Sequence, residues 1–488
     1  MKRKLALTLL ICSALFAVTA VALVAMSMFV VNVSAAVLVG CAAAAVVCMA
    51  AAAVLSEKKK VRAIISAAMA VVLSAALVMG FFWNPYANSV AFRRYTFSLG
   101  AGELISSQQA QEDLRQAYAL LKKVHPAFKD GAPAETEGAF NAVIAEVAQR
   151  ESVTCAQVRR YVQRVLSTLG DAHTASFAVP SEERYLCDYG ELVKGGGYAI
   201  TEINGEPLYD WFSGHRELFS YEAESWAVDQ LKKLVTSDTG LAFLGIADEE
   251  FTLTYEREGE RLERVYSTEE LISYDEYMER NGQYYDNQSE SFVRYELFPE
   301  ENYALLTLDS CTYNSEYTDA LKELFDKLYD SEIEHLIVDL RKNSGGDDRV
   351  AEELMRYLGV ESYRGVGYKW RWGQLTFERK IKDEPIEYAG AAFDGDVTLL
   401  TSTGSFSSAM LFALYFKDNS LGTIVGETPG NSANGFGEIA TFQLDNSGII
   451  LSVSTKEFFR ADSAAGDFVI PDVPCESGAA LETALGLF

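Results

Sequence analysis

The sequence predicts an α/β protein in which N-terminal transmembrane helices lead into a helical segment, a small β-rich module and an α/β core. Three observations carry this. The first 83 residues are almost wholly apolar; toward the C-terminus short runs such as LIVDL (Leu336–Leu340) and VTLLT (Val397–Thr401) alternate with helical patterns; and two hairpin signatures lie between. Continuous apolar runs followed by helices read as strands buried on both faces.

The apolar start, residues 1–83, is expected to make three spans. It carries no charge over Leu5–Val31, Ser34–Leu55 and Ala63–Trp83. One helix from Leu5 to Leu55 would be about 75 Å long, against a hydrocarbon core of about 30 Å, so the chain must fold back near Asn32. Lys2-Arg3-Lys4 and the stretch Ser56–Arg62 then fall on one side. The positive-inside tendency makes that side cytoplasmic, and three spans place everything after Trp83 outside, as a multi-pass protein of the cell membrane. A cleaved signal peptide ending at Val33-Ser34-Ala35 is the alternative, but the apolar run far exceeds the usual 7 to 15 residues.

Charge separates the two parts. The first 83 residues hold seven of the 42 Lys and Arg and one of the 69 acids, leaving 35 basic against 68 acidic residues in the remainder. Such a surface repels nucleic acid, which is excluded as a partner of the bulk domain. Cys155, Cys187, Cys311 and Cys475 are dispersed, without CxxC or Cys/His spacing, so no metal or other cofactor is expected.

Residues 84–180 show apolar residues at helical spacing, as in EDLRQAYALLKKVHPAF and CAQVRRYVQRVLSTLG. Residues 181–270 contain YAITEINGEPLYD, with a turn at Asn204-Gly205, and a hairpin about Glu258-Gly259. Residues 271–488 hold the alternating strands and helices.

Three segments could do chemistry. In TSTGSFSSAMLFA, Ser407 falls where a buried strand has turned into an apolar helix, whose free amides can stabilise negative charge. An ordinary helix cap is the competing reading. In LIVDLRKNSGGDD, Gly345-Gly346 follow a strand and let backbone amides approach a ligand; a plain tight turn is the alternative. In LGDAHTAS, His173 offers an imidazole base, where His125, His215 and His335 sit in turns or beside strands. Both loops leave carboxyl ends of strands, where ligands gather in parallel sheets.

In this order the segments resemble the C-terminal processing (tail-specific) serine peptidase family, which includes the tricorn protease core. The likeness covers roughly Glu103–Leu487 and rests on the helical EDLRQAYALLKKVHPAF, on GDAHT, VDLRKNSGG and SFSSAMLFA, and on the later IVGETPG and VIPDV. It implies a serine peptidase acting on exported or membrane proteins, with Ser407 as nucleophile and an α/β peptidase core over 271–488. It also implies that 181–270 is a PDZ-like module, of a kind that binds extended peptides at a sheet edge. About forty residues, Phe212–Glu250, interrupt that pattern.

The family divides between a Ser-Lys dyad and a tricorn-like Ser-His arrangement. Asn431 stands where the dyad lysine would be, and Lys417 lies about 15 Å along the helix from Ser407. The resemblance therefore implies His173 as base, the amides of Ser408 and of Gly345 or Gly346 as oxyanion donors, and an acid on the imidazole, Asp467 in preference to Glu457. A non-catalytic peptide- or ligand-binding protein on the same fold is the competing class, kept open by the missing lysine. Oligomeric state is not legible in the sequence.

Overall fold

The computed structural model describes residues 2–27, 35–55, 59–78, 84–86, 89–90, 96–246, 250–284, 291–390 and 392–488. The apolar start forms three helices, Lys2–Ser27, Ala35–Leu55 and Lys59–Val78. Two of them, over Lys4–Met26 and Ala36–Leu55, are long and apolar enough to cross a membrane. In the third, the described apolar stretch is Ile64–Ala75. At 1.5 Å per residue that stretch covers about 18 Å. The expected fold-back near Asn32 and the end of the third run at Trp83 lie outside the described residues. Small residues let the first two helices approach closely, with Ala17, Ala20, Ala42 and Ala45 buried together and the Ser13 hydroxyl donating to the Ala45 carbonyl at 2.7 Å.

The C-terminal half is built on a six-stranded sheet in the order Val293–Phe298, Tyr303–Leu308, His335–Asp339, Asp396–Thr401, Thr423–Gly426 and Val473–Pro474. The first pair is antiparallel and every later pair parallel. LIVDL and VTLLT are therefore neighbours, in register as Val338 against Leu399. Their continuous apolar character follows from burial on both faces: Leu336, Val338 and Leu399 pack with the helices Ser315–Tyr329 and Ser408–Asn419, while Ile337 and Leu400 meet Ala480 and Ala484 of the last helix.

A second sheet orders Leu375–Arg379, Gly367–Trp372, Ile450–Phe459 and Phe436–Gln443, and the short strand Ala175–Phe177 also pairs with Ile450–Phe459. The helices Ser107–Val124 and Cys155–Leu166 bury their apolar faces on this sheet, Leu114, Leu121, Val158 and Val162 packing with Trp370, Phe442, Leu451 and Val453. Residues 84–180 thus share their core with residues far along the chain. Both helices begin in capping boxes, Ser106 with Gln109 and Thr154 with Gln157.

Both predicted hairpins form, joined in one four-stranded sheet with Ala199–Ile203 beside Glu250–Arg257. The interrupting segment Phe212–Glu250 folds into the helices Glu224–Leu234 and Asp238–Leu244, which share a core with that sheet.

Candidate active site

The loops after His335–Asp339 and Asp396–Thr401 are stitched together by hydrogen bonds. Ser405 Oγ donates to the Leu340 carbonyl at 2.7 Å, Ser402 Oγ to that of Arg341 at 2.5 Å, and the Phe406 amide to that of Asn343 at 3.1 Å. Ser407 emerges from this junction at φ 55°, ψ −121°, immediately before the helix Ser408–Asn419. An ordinary capping serine has extended backbone angles and accepts a helix amide; Ser407 does neither. It is a strained turn between strand and helix, the conformation that presents a side chain at the tip of a sheet. Asn431, at the dyad-lysine position, accepts a hydrogen bond from the Ser407 amide through Oδ1 at 2.7 Å and is itself buried.

The glycine loop lies against this turn. A Cβ on Gly345 would sit 2.7 Å from Ser407 Cβ and 2.9 Å from the Ser408 nitrogen, and its φ of 103° is unfavourable to side chains. On Gly346 a Cβ would be 2.3 Å from the Cys311 carbonyl oxygen. The two glycines differ as donors. The Gly345 amide is taken by Asn343 Oδ1 at 2.9 Å, whereas the amides of Gly346 and Ser408 have no acceptor among the described residues. Ser408 Oγ donates to the Gly346 carbonyl at 2.8 Å, fixing the two amides' residues to each other.

His173 is seated by the second sheet. Ser452 Oγ donates to its carbonyl at 2.6 Å, and Thr174 Oγ1 accepts from the Ser454 amide at 3.0 Å. The imidazole packs on Phe406, ring centroids 4.5 Å apart, and Phe406 stacks in turn on Trp226 at 4.1 Å. Burial lowers the His173 pKa from the ordinary histidine value, against opposing pulls from Asp171 and the Phe436 backbone. Neither ring nitrogen has a hydrogen-bond partner, so His173 and Ser407 share a cavity without yet bonding. The other histidines are engaged elsewhere: His125 with Asp171, His215 with the Trp211 carbonyl, and His335 stacked on Phe488.

Neither acid expected from the sequence reaches the imidazole. Asp467 accepts from Asn434 Nδ2 at 3.0 Å in an exposed loop, and Glu457 lies on the strand Ile450–Phe459 opposite Lys369 and Phe436. Alternation along that strand explains the second case, since Lys456 and Phe458 face the cavity and Glu457 points to the other side. The carboxylate within 4 Å of the ring is that of Asp171, Oδ1 being 3.8 Å from Nδ1. Asp171 Oδ1 also accepts from the His173 amide at 2.9 Å, and Oδ2 lies 3.0 Å from His125 Nε2. His125 Nδ1 accepts from the Ala127 amide, so Nε2 carries the proton toward Asp171. Burial alone would raise the Asp171 pKa, but the His125 hydrogen bond and the two imidazoles bring it down to about 2.

A second carboxyl comes from the interrupting segment. Glu222 Oε2 accepts from the Ala172 amide at 3.2 Å, while Oε1 is buried without a partner. Burial, reinforced by the Asp171 charge, pushes its pKa well above the usual carboxylate range. Among the described residues, Asp171, His173 and Glu222 are the set with metal-ligand composition, one donor atom of each within 4.8 Å of the others.

Ser407 and His173 line a cavity of about 440 Å³ whose wall beyond Ser407 is apolar, with Met410, Leu411, Tyr415 and Phe458. Lys456 and Glu438 enter from the second sheet and pair at 3.4 Å. Lys417, as expected, is remote and bridges Asp472. A larger groove of about 970 Å³ opens around His335 and Asp396, at the amino ends of the same strands and away from Ser407.

The fold and this loop pair define an α/β hydrolytic core with a strained serine before a helix. Residues 302–475, just over a third of the chain, match the model of peptidase family S41, a match that supports a serine-type peptidase acting on polypeptides. No curated protein matches the chain. Mature CPAF is similar in structure at 12% identity and a TM-score of 0.54, covering 78% of this chain and 96% of its own. A CPAF mutant gives 12% and 0.55, covering 78% and 95%, and mature CPAF complexed with lactacystin 13% and 0.53, covering 78% and 96%. At such identities the likeness establishes the shared fold.

Proposed function

We propose that the chain is a membrane-anchored, extracytoplasmic endopeptidase that cleaves exported or membrane proteins through a Ser407 acyl-enzyme. The observation that carries this reading is the strained Ser407, its hydroxyl free of any capping bond, facing the cavity that also holds His173 and the open amides of Gly346 and Ser408. His173 removes the Ser407 proton as Oγ attacks the scissile carbonyl, and the amides of Ser408 and Gly346 receive the oxyanion. The tetrahedral intermediate collapses, the amine leaves with the proton from His173, and water repeats the sequence to free the acid. Asp171 orients the imidazole through its backbone amide and its charge beside Nδ1. The two apolar helices supply the anchor, and Lys2, Arg3 and Lys4 favour a cytoplasmic N-terminus.

The competing reading, a peptide-binding protein without catalysis, draws support from the unbonded His173 ring. Incubating the detergent-solubilised chain with a fluorophosphonate and with an unfolded polypeptide separates the two. Labelling and cleavage lost in Ser407→Ala and in His173→Ala support the peptidase. Equal turnover in the variants, or no labelling of the wild type, would overturn it.

A further inference from the structure

A separate cavity of about 350 Å³ lies between the helix Cys155–Leu166 and the helices Glu224–Leu234 and Asp238–Leu244. Arg159 enters it from the first helix. The residue is 8% exposed; its guanidinium lies 4.0 Å from the Phe243 ring centroid and donates from Nε to the Ser176 carbonyl at 3.1 Å. That is one of five N–H groups. The other four have no acceptor among the described residues, and no carboxylate lies within ion-pair distance; the lining acid Glu183 bonds the Tyr185 hydroxyl instead.

The opposite wall repeats the pattern. Gln230 Nε2 is buried without a partner, and Lys233, one turn along the same helix, stands at the rim with its ammonium paired to Asp229. Donors from two elements thus line a space whose walls combine Phe243, Leu234 and Trp226 with polar side chains such as Gln163, Ser220 and Thr239. A buried guanidinium with no counterion within ion-pair distance is costly, and a planar carboxylate accepts its paired N–H groups two at a time. The volume lies within the range of small-molecule sites.

We propose that this cavity binds a small organic carboxylate, its oxygens on Arg159 and Gln230 and a short apolar body against Phe243. Nothing in this assignment depends on the peptidase chemistry. Calorimetric titration of the detergent-solubilised full chain with isovalerate tests it, with the neutral isovaleramide as control. Saturable one-to-one binding of the acid but not the amide is expected, weakened roughly tenfold or more in Arg159→Gln. Gln230→Leu and the rim variant Lys233→Met, which leave the buried cation in place, should each weaken binding several-fold while the melting temperature holds. Absence of saturable isovalerate binding in the folded wild type overturns the proposal. So does equal affinity for isovaleramide, or binding confined to peptides with a free C-terminal carboxylate.

Discussion

The side chain of Asn431 holds the backbone of Ser407: its Oδ1 receives the Ser407 amide at 2.7 Å, at the place where dyad relatives are expected to present a base. In this chain the side chain at that position supports a strained turn. Removing the side chain by Asn431→Ala leaves the Ser407 amide unsatisfied, at about 1 to 3 kcal/mol. Fluorophosphonate labelling should slow by about tenfold or more, with a lower melting temperature. Asn431→Lys should lose activity as Asn431→Ala does, because the Ser407 amide loses its acceptor; a fully active lysine variant would contradict the role given to Asn431.

Gly345→Ala tests how closely the glycine loop approaches the nucleophile. The added methyl would lie 2.7 Å from Ser407 Cβ, so hydrolysis should fall at least about a hundredfold, the scale of a lost oxyanion contact. Wild-type labelling kinetics in this variant would show that the loop yields at no cost.

Asp171 links acid stability to the site. Its pKa falls from the ordinary value near 3.9 when unfolded to about 2 when folded, so its contribution is complete above pH 4 and lost as pH falls from 4 toward 2. That contribution is on the order of 2 kcal/mol. In Asp171→Asn, unfolding between pH 4 and 2 should become less steep in pH, and activity should drop at every pH.

Glu222 carries the opposite sign. Its raised folded pKa means that its contribution is present below about pH 4.3 and declines as pH rises toward the folded value. Glu222→Gln should therefore gain stability relative to the wild type on going from pH 4 to pH 8, measured as a difference in melting temperatures. A difference that is constant across that range would remove the buried-acid account.

As the proposed base, His173 must be neutral to accept a proton, and burial lowers its pKa. The acid limb of kcat/KM for a peptide substrate should accordingly lie below the ordinary histidine value near 6.5. An acid limb at or above that value would point to another base.

Much of this was legible beforehand because it is local. LIVDL and VTLLT are apolar throughout and became adjacent buried strands, and Ser407 and Gly345-Gly346 sit in turns that their own residues dictate. Asp171 lay within the same GDAHT segment as His173, and its spacing of two was a usable signal that gave way to acids farther along. Glu222 and Trp226 carried no such signal. They reach the site only because the interrupting segment folds back upon it, a tertiary event without a sequence period.

The pairing of Ala175–Phe177 with Ile450–Phe459 has a consequence for timing. A ribosome releases Ser407 well before residue 452, whose hydroxyl holds the carbonyl of His173 across 279 positions. Until that late strand emerges, the early helices also lack the surface that covers Leu114 and Val162. Long-range closures of this sort form slowly. A growing chain therefore carries Ser407 before His173 has its seat, and the cavity the two share cannot close until residue 452 has emerged.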